Sequence, residues 1–76
     1  MKIKLLETVV LKKDIPDQGL KCGDVGAVVE LYEPDGLEVE FVMGSGKTQA
    51  LVTLKITDIR SISDNDILSV RSLIAA

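Results

Sequence analysis

The 76-residue chain has no histidine, no tryptophan, one cysteine and only two aromatic residues, Tyr32 and Phe41. Without histidine, the usual neutral-pH general base and the commonest metal ligand are missing. Cys22 alone makes no intramolecular disulfide, and small secreted domains normally carry several, so a reducing, cytoplasmic setting is expected. Two aromatics are too few for the stacking platforms that hold single-stranded nucleic acid. Basic charge is also scarce. Nine Lys and Arg stand against twelve Asp and Glu, for a net charge of −3. Apart from Lys12–Lys13 the basic residues are scattered, so the clustered footprint that reads a phosphate backbone is absent. No apolar run reaches the length of a membrane span. The opening Met1-Lys2-Ile3-Lys4-Leu5-Leu6 stops at Glu7 before a signal-peptide core could form. No metal or cofactor site is expected.

What is present is aliphatic. Hydrophobic residues make up 46% of the chain and charged residues 28%, which excludes a disordered or low-complexity polymer. At this length a single domain over 1–76 buries only about 60% of its unfolded surface, leaving little room for an active-site cavity beside a core. Turn signals arrive every 8–12 residues, the spacing of a small all-β sandwich or barrel. Five antiparallel strands are expected. These are Thr8–Lys12, Ala27–Glu33, Leu37–Met43, Thr48–Leu54 and a short Ile59–Ile62. A loop is expected at Asp14–Gly19 and a sharp turn or bulge around Gly23 and Gly26. Glu33-Pro34-Asp35-Gly36 reads as a type I turn closed by a glycine bulge.

That turn sets a register. Tyr32 is expected opposite Glu38, Leu31 opposite Val39 and Val29 opposite Phe41. Across the next hairpin Met43 faces Thr48, Phe41 faces Ala50, Val39 faces Val52 and Leu37 faces Leu54. Val29, Leu31, Leu37, Val39, Phe41, Ala50, Val52 and Leu54 then share one interior face. After Ser63-Asp64-Asn65-Asp66, a capping-type start, Ile67, Val70 and Ile74 fall at helical spacing. A C-terminal helix over about 64–74 is expected, with Ala75–Ala76 fraying.

Gly44-Ser45-Gly46-Lys47-Thr48 ends like a phosphate-binding loop. The first glycine of that pattern would stand at position 41, which is Phe41, and a strand rather than a helix follows. The segment is read as a hairpin turn. Cys22 has Lys21 beside it but no histidine to make a nucleophile–base pair. The remaining candidate is the outer face. The register sets Glu30 opposite Glu40, with Glu38 and Tyr32 one step along and Val28, Val42 and Leu51 around them. Like charges across strands are unfavourable, and aliphatics on a wet face call for a cover. The cover would be the C-terminal helix or a second copy. Val28, Glu30, Tyr32, Glu38, Glu40, Val42 and Leu51 are therefore the candidate docking residues, for a basic protein partner or for self-association.

From Leu20 to Val29 the chain resembles a family of small bacterial proteins, common in cyanobacteria, known only as a domain of unknown function. The resemblance rests on Thr8–Leu11, Pro16, the Gly-Leu-x-x-Gly-Asp-x-Gly-x-Val-Val run over Gly19–Val29, Tyr32, Glu38–Phe41 and Thr48–Leu54. It covers about residues 5–62. It implies an SH3-like barrel and brings no catalytic residues. The Gly-Asp-x-Gly-x-Val turn is also similar to KOW-type barrels, which bind RNA or protein; here the charge has the wrong sign for RNA. A non-catalytic interaction or accessory module is the leading expectation. A KOW-like nucleic-acid-binding barrel, using Lys12, Lys13, Lys21 and Lys47, is the alternative.

Overall fold

Val9, Val10 and Leu11 are all buried, because the strand that carries them is hydrogen-bonded on both sides. The computed structural model describes residues 2–74; the expected fraying of Ala75–Ala76 lies outside them. Five strands are formed: β1 (Thr8–Leu11), β2 (Val25–Tyr32), β3 (Gly36–Val42), β4 (Thr48–Lys55) and β5 (Ile59–Ser61). They make one antiparallel sheet in the order β4-β3-β2-β1-β5. The edge strands β4 and β5 do not pair with each other, so the sheet is open rather than closed by hydrogen bonds into a barrel. Leu54 of β4 and Ile59 of β5 nevertheless share one core cluster with Val9, Leu11, Val28, Leu37, Val39 and Phe41. The sheet thus wraps a common interior.

The β3–β4 hairpin has the expected register over Leu37–Leu54, Val39–Val52 and Phe41–Ala50. Its turn end differs. Val42, not Met43, pairs with Thr48, and Gln49 is left over. Gly44–Lys47 is a tight turn in which the Met43 N–H donates to the Lys47 carbonyl at 2.8 Å, and it leads straight into β4.

The β2–β3 register departs from expectation. Tyr32 pairs with Gly36, Leu31 with Leu37 and Glu30 with Glu38. Beyond an irregularity at Val29 the pairs become Val28–Val39 and Ala27–Glu40. Two causes add. The loop Glu33–Asp35 closes directly on Gly36, which enters the ladder instead of forming a bulge. The bulge sits at Val29, an extra residue that shifts the phase of the strand. Val28 therefore lies fully inside, Val29 is half-buried and Leu31 is exposed at the rim.

Gly26 is placed for packing rather than for turning. It lies in β2, where an added Cβ would stand 2.7 Å from Val39 Cγ1 and 2.9 Å from the Glu40 carbonyl oxygen. The turning positions are Gly19, Gly23 and Gly46, with φ of 69°, 97° and 91°. Gly19 ends the 3-10 turn Pro16–Gln18, and a second 3-10 turn, Ile56–Asp58, joins β4 to β5.

The expected C-terminal helix is not formed. The Ser63 N–H does donate to Asp66 Oδ2 at 2.7 Å, as in a helix start, but no helix follows. Ile67, Val70 and Ile74 are 91%, 100% and 79% exposed. Their spacing offers a helix face, but no surface receives it. An eleven-residue helix without tertiary support is marginal, and this one would contain two β-branched isoleucines, a valine and two serines.

Two Arg–Asp forks hold this segment instead. Arg60 Nη1 and Nη2 donate to Asp66 Oδ2 and Oδ1 at 2.8 and 3.0 Å. Arg71 reaches across to Asp24 in the loop between β1 and β2. The Arg60 guanidinium, and then the Ser63 N–H, pull the Asp66 carboxyl from the ordinary 3.8 down to about 2. A depressed value means that the contact is fully present above about pH 4 and is lost as the pH falls through about 2. In an NMR titration, Asp66 is expected to titrate near 2. Arg60→Gln is expected to return it toward the ordinary carboxylate range; an unchanged value would show that the fork is not populated.

Candidate functional site

Alternation along β3 turns Leu37, Val39 and Phe41 inward and leaves Glu38, Glu40 and Val42 on the outer face. β2 contributes Glu30 and Tyr32 to that face, and β4 contributes Leu51 and Thr53. Six of the seven candidate docking residues, Glu30, Tyr32, Glu38, Glu40, Val42 and Leu51, are thus brought together on one side of three adjacent strands. Val28 is the exception. At 0% exposure it belongs to the core, because the bulge at Val29 reverses the phase assumed for β2.

The charge pairing also differs. Glu30 faces Glu38, whereas Glu40 lies between Ala27 on β2 and Leu51 on β4. Each β3 glutamate is steadied by a threonine of β4. Thr53 Oγ1 donates to Glu38 Oε1 and Thr48 Oγ1 to Glu40 Oε2, both at 2.5 Å. The Tyr32 hydroxyl stands 3.5 Å from Glu38 Oε1. Hydroxyl donors to carboxylates offset part of the repulsion between Glu30 and Glu38. Partial desolvation, then the Glu38 and Glu30 charges, raise the Tyr32 phenol above its usual value. The threonines were not singled out from sequence, although the β3–β4 register already places Thr53 opposite Glu38. Thr48 was hidden by the irregularity beside Gln49.

Tyr32, Val42 and Leu51 are exposed, so the face combines carboxylates, one phenol and aliphatic surface. It can take up cationic groups and apolar stems together. The C-terminal segment does not cover it; the contacts of Arg71 are with Asp24 and Gly19.

Lys13 is paired with Asp58 at 3.3 Å; the Lys55 N–H first, and then Lys13, hold the Asp58 carboxyl below its usual value. Lys21 lies in the turn capped by Asp24, and Lys47 in the β3–β4 turn at the same end of the sheet, where Gln49 Nε2 donates to the Gln18 carbonyl at 3.2 Å. Cys22 is exposed, with its N–H donating to Asp14 Oδ1 at 2.8 Å. Shallow grooves run between Lys13–Asp17 and Val52–Leu54, and between Tyr32–Asp35 and Thr53–Asp58. Among the described residues no group of three or more Cys, Asp or Glu is placed to hold a metal ion. No helix among them is long and apolar enough to cross a membrane.

No curated protein and no solved structure matches the chain. A family model matches residues 5–61, which takes in all five strands and stops before the C-terminal segment; the chain belongs to the family described as Domain of unknown function (DUF4926).

Proposed function

We propose that the protein is a non-catalytic interaction module that docks a basic protein partner on the outer face of β2, β3 and β4. The observation that carries this reading is the grouping of Glu30, Glu38 and Glu40 with exposed Tyr32, Val42 and Leu51 on one surface that the other described residues leave uncovered. Charge of one sign at such a face selects partners and speeds encounter. Exposed aliphatics beside it add area that water does not favour. The architecture is read as an open variant of an SH3-like barrel; the core shared by Leu54 and Ile59 from its two edge strands supports this. The exposed free thiol of Cys22 supports a reducing compartment such as the cytoplasm.

Glu30→Lys together with Glu40→Lys tests the reading. A lysine at position 30 faces Glu38, so the ladder gains an opposite-charge pair and the fold is kept. Capture of basic proteins from a native-cell extract is expected to fall by about tenfold or more, with the unfolding midpoint within a few degrees. Unchanged capture would reduce the glutamates to solvated surface. A gel shift at low salt with about ten micromolar protein would favour nucleic-acid binding instead.

A further inference from the structure

Among residues 67–74, Arg71 is the anchoring point. Val70 before it is fully exposed and Ile74 is mostly so, yet the Arg71 guanidinium is seated. Its Nε donates to Asp24 Oδ1 at 2.8 Å, and Nη2 donates to Asp24 Oδ2 at 2.6 Å and to the Gly19 carbonyl at 2.8 Å. The Arg71 side chain is 33% exposed and that of Asp24 only 17%. Residues 67–74, which form no regular structure, are thus held to the body at Arg71 by a planar cation in a three-point cradle.

The cradle is organised without the tail. Gly19 takes a left-handed conformation at the end of the 3-10 turn, which sets the direction of its carbonyl. The Lys21 N–H donates to Asp24 Oδ2 at 2.8 Å and fixes the carboxylate. The Asp24 backbone is pinned to β1, where the Leu11 N–H donates to the Asp24 carbonyl at 2.8 Å and the Gly23 N–H donates to the Leu11 carbonyl at 2.8 Å. Asp14, tied to the Cys22 N–H, adds a second negative charge nearby. The receptor half therefore belongs to the sheet, and the occupant half to a segment whose other tie to the sheet among the described residues is the Arg60–Asp66 fork at its start.

We propose that the turn Gly19–Asp24 is a receptor for an arginine side chain of a partner polypeptide, and that Arg71 occupies it in cis as a competitor. Exchange of one guanidinium for another keeps Asp24 paired throughout. The tether makes Arg71 a local competitor at an effective concentration of about millimolar, which weakens an external arginine without abolishing its binding. A lysine cannot reproduce the fork, so the site selects arginine. This inference is independent of the glutamate face. Asp24 and Arg71 are untouched by the substitutions at Glu30 and Glu40, so either reading can fail alone.

The test uses the full chain with Arg71→Ala and the blocked peptide acetyl-Ser-Val-Arg-Ser-amide, followed by amide NMR shifts at Gly19 and Asp24. The peptide is expected to bind Arg71→Ala in the millimolar range and the parent chain roughly twofold more weakly, because the parent has to release its own arginine. Adding Asp24→Asn to Arg71→Ala is expected to remove the shifts, and acetyl-Ser-Val-Lys-Ser-amide to give none. Should Arg71→Ala not fold, Arg71→Lys keeps the charge while losing the fork and serves in its place. Equal binding by the parent and the Arg71 variant, or binding that survives Asp24→Asn, overturns the proposal. Acetyl-arginine-amide is expected to bind about as tightly as the peptide, because every contact of the cradle is to the guanidinium; failure of both to bind Arg71→Ala overturns the proposal.

Discussion

Gly26→Ala is expected to lower the midpoint of thermal unfolding by roughly 10–20 °C. The new methyl group would meet Val39 Cγ1 at 2.7 Å, the Glu40 carbonyl oxygen at 2.9 Å and Phe41 Cδ1 at 3.0 Å. Two of these are side-chain atoms within the core and the third is backbone held in the β2–β3 ladder. None is the loose end of a flexible chain that could swing aside. Relief therefore requires moving Phe41 or separating two paired strands, and such overpacking costs about 2–3 kcal/mol. In a 76-residue domain each kcal/mol is worth roughly 4–8 °C, which gives the stated shift. Gly44→Ala is the control. Nothing lies within 4 Å of its Cβ position, and its effect is expected to be near zero or slightly stabilising through the unfolded state. Calorimetry of the two variants checks both; a Gly26→Ala midpoint within about 3 °C of the parent would mean that β2 and β3 do not approach as closely as described.

The contrast between the two hairpins shows what could be read from the sequence. In β3, Leu37, Val39 and Phe41 alternate with Glu38 and Glu40, and in β4, Ala50 and Leu54 alternate with Leu51 and Thr53. Strict alternation has a phase, and a one-residue slip would turn it inside out. The register and the acidic outer face were legible for that reason. In β2, Ala27, Val28 and Val29 are three apolar residues in a row, a run with no phase. Nothing local says which of them is the extra residue of the bulge, so Val28 was placed outside and Val29 inside. The C-terminal segment failed for another reason. Its helical spacing is real, but a helix of that length is decided by the surface it docks on, and no such surface is offered. The Arg71–Asp24 fork joins residues 47 apart in the chain, and no local pattern announces it. The buried Ile3, packed into the core ahead of β1, was likewise hidden, standing between Lys2 and Lys4 with no alternation long enough to give it a phase.

Val28→Asp is expected to leave the chain unfolded at room temperature, and this substitution separates the two possible phases of β2 most sharply. Val28 has no exposed surface; it sits opposite Val39, and its N–H donates to the Glu7 carbonyl at 2.9 Å. Its surroundings are Val9, Leu37 and the rest of an aliphatic cluster that contains no buried polar or charged residue. A carboxylate there finds no partner, and an unpaired charge in such a place costs at least several kcal/mol even after relaxation. A domain this small has about 5 kcal/mol of stability in total, so the substitution exceeds the available margin. Leu51→Asp introduces the same group on the exposed face beside Glu40 and is expected to cost less than about 1 kcal/mol. Circular dichroism and dispersed amide resonances distinguish the outcomes. A folded Val28→Asp with a near-parental midpoint would return Val28 to the outer face and with it the register in which Glu30 stands opposite Glu40. Loss of structure at Val28 with retention at Leu51 fixes the bulge at Val29. It also means that lost binding in a Val28 variant reports unfolding, whereas loss at Leu51 reports the docking face itself.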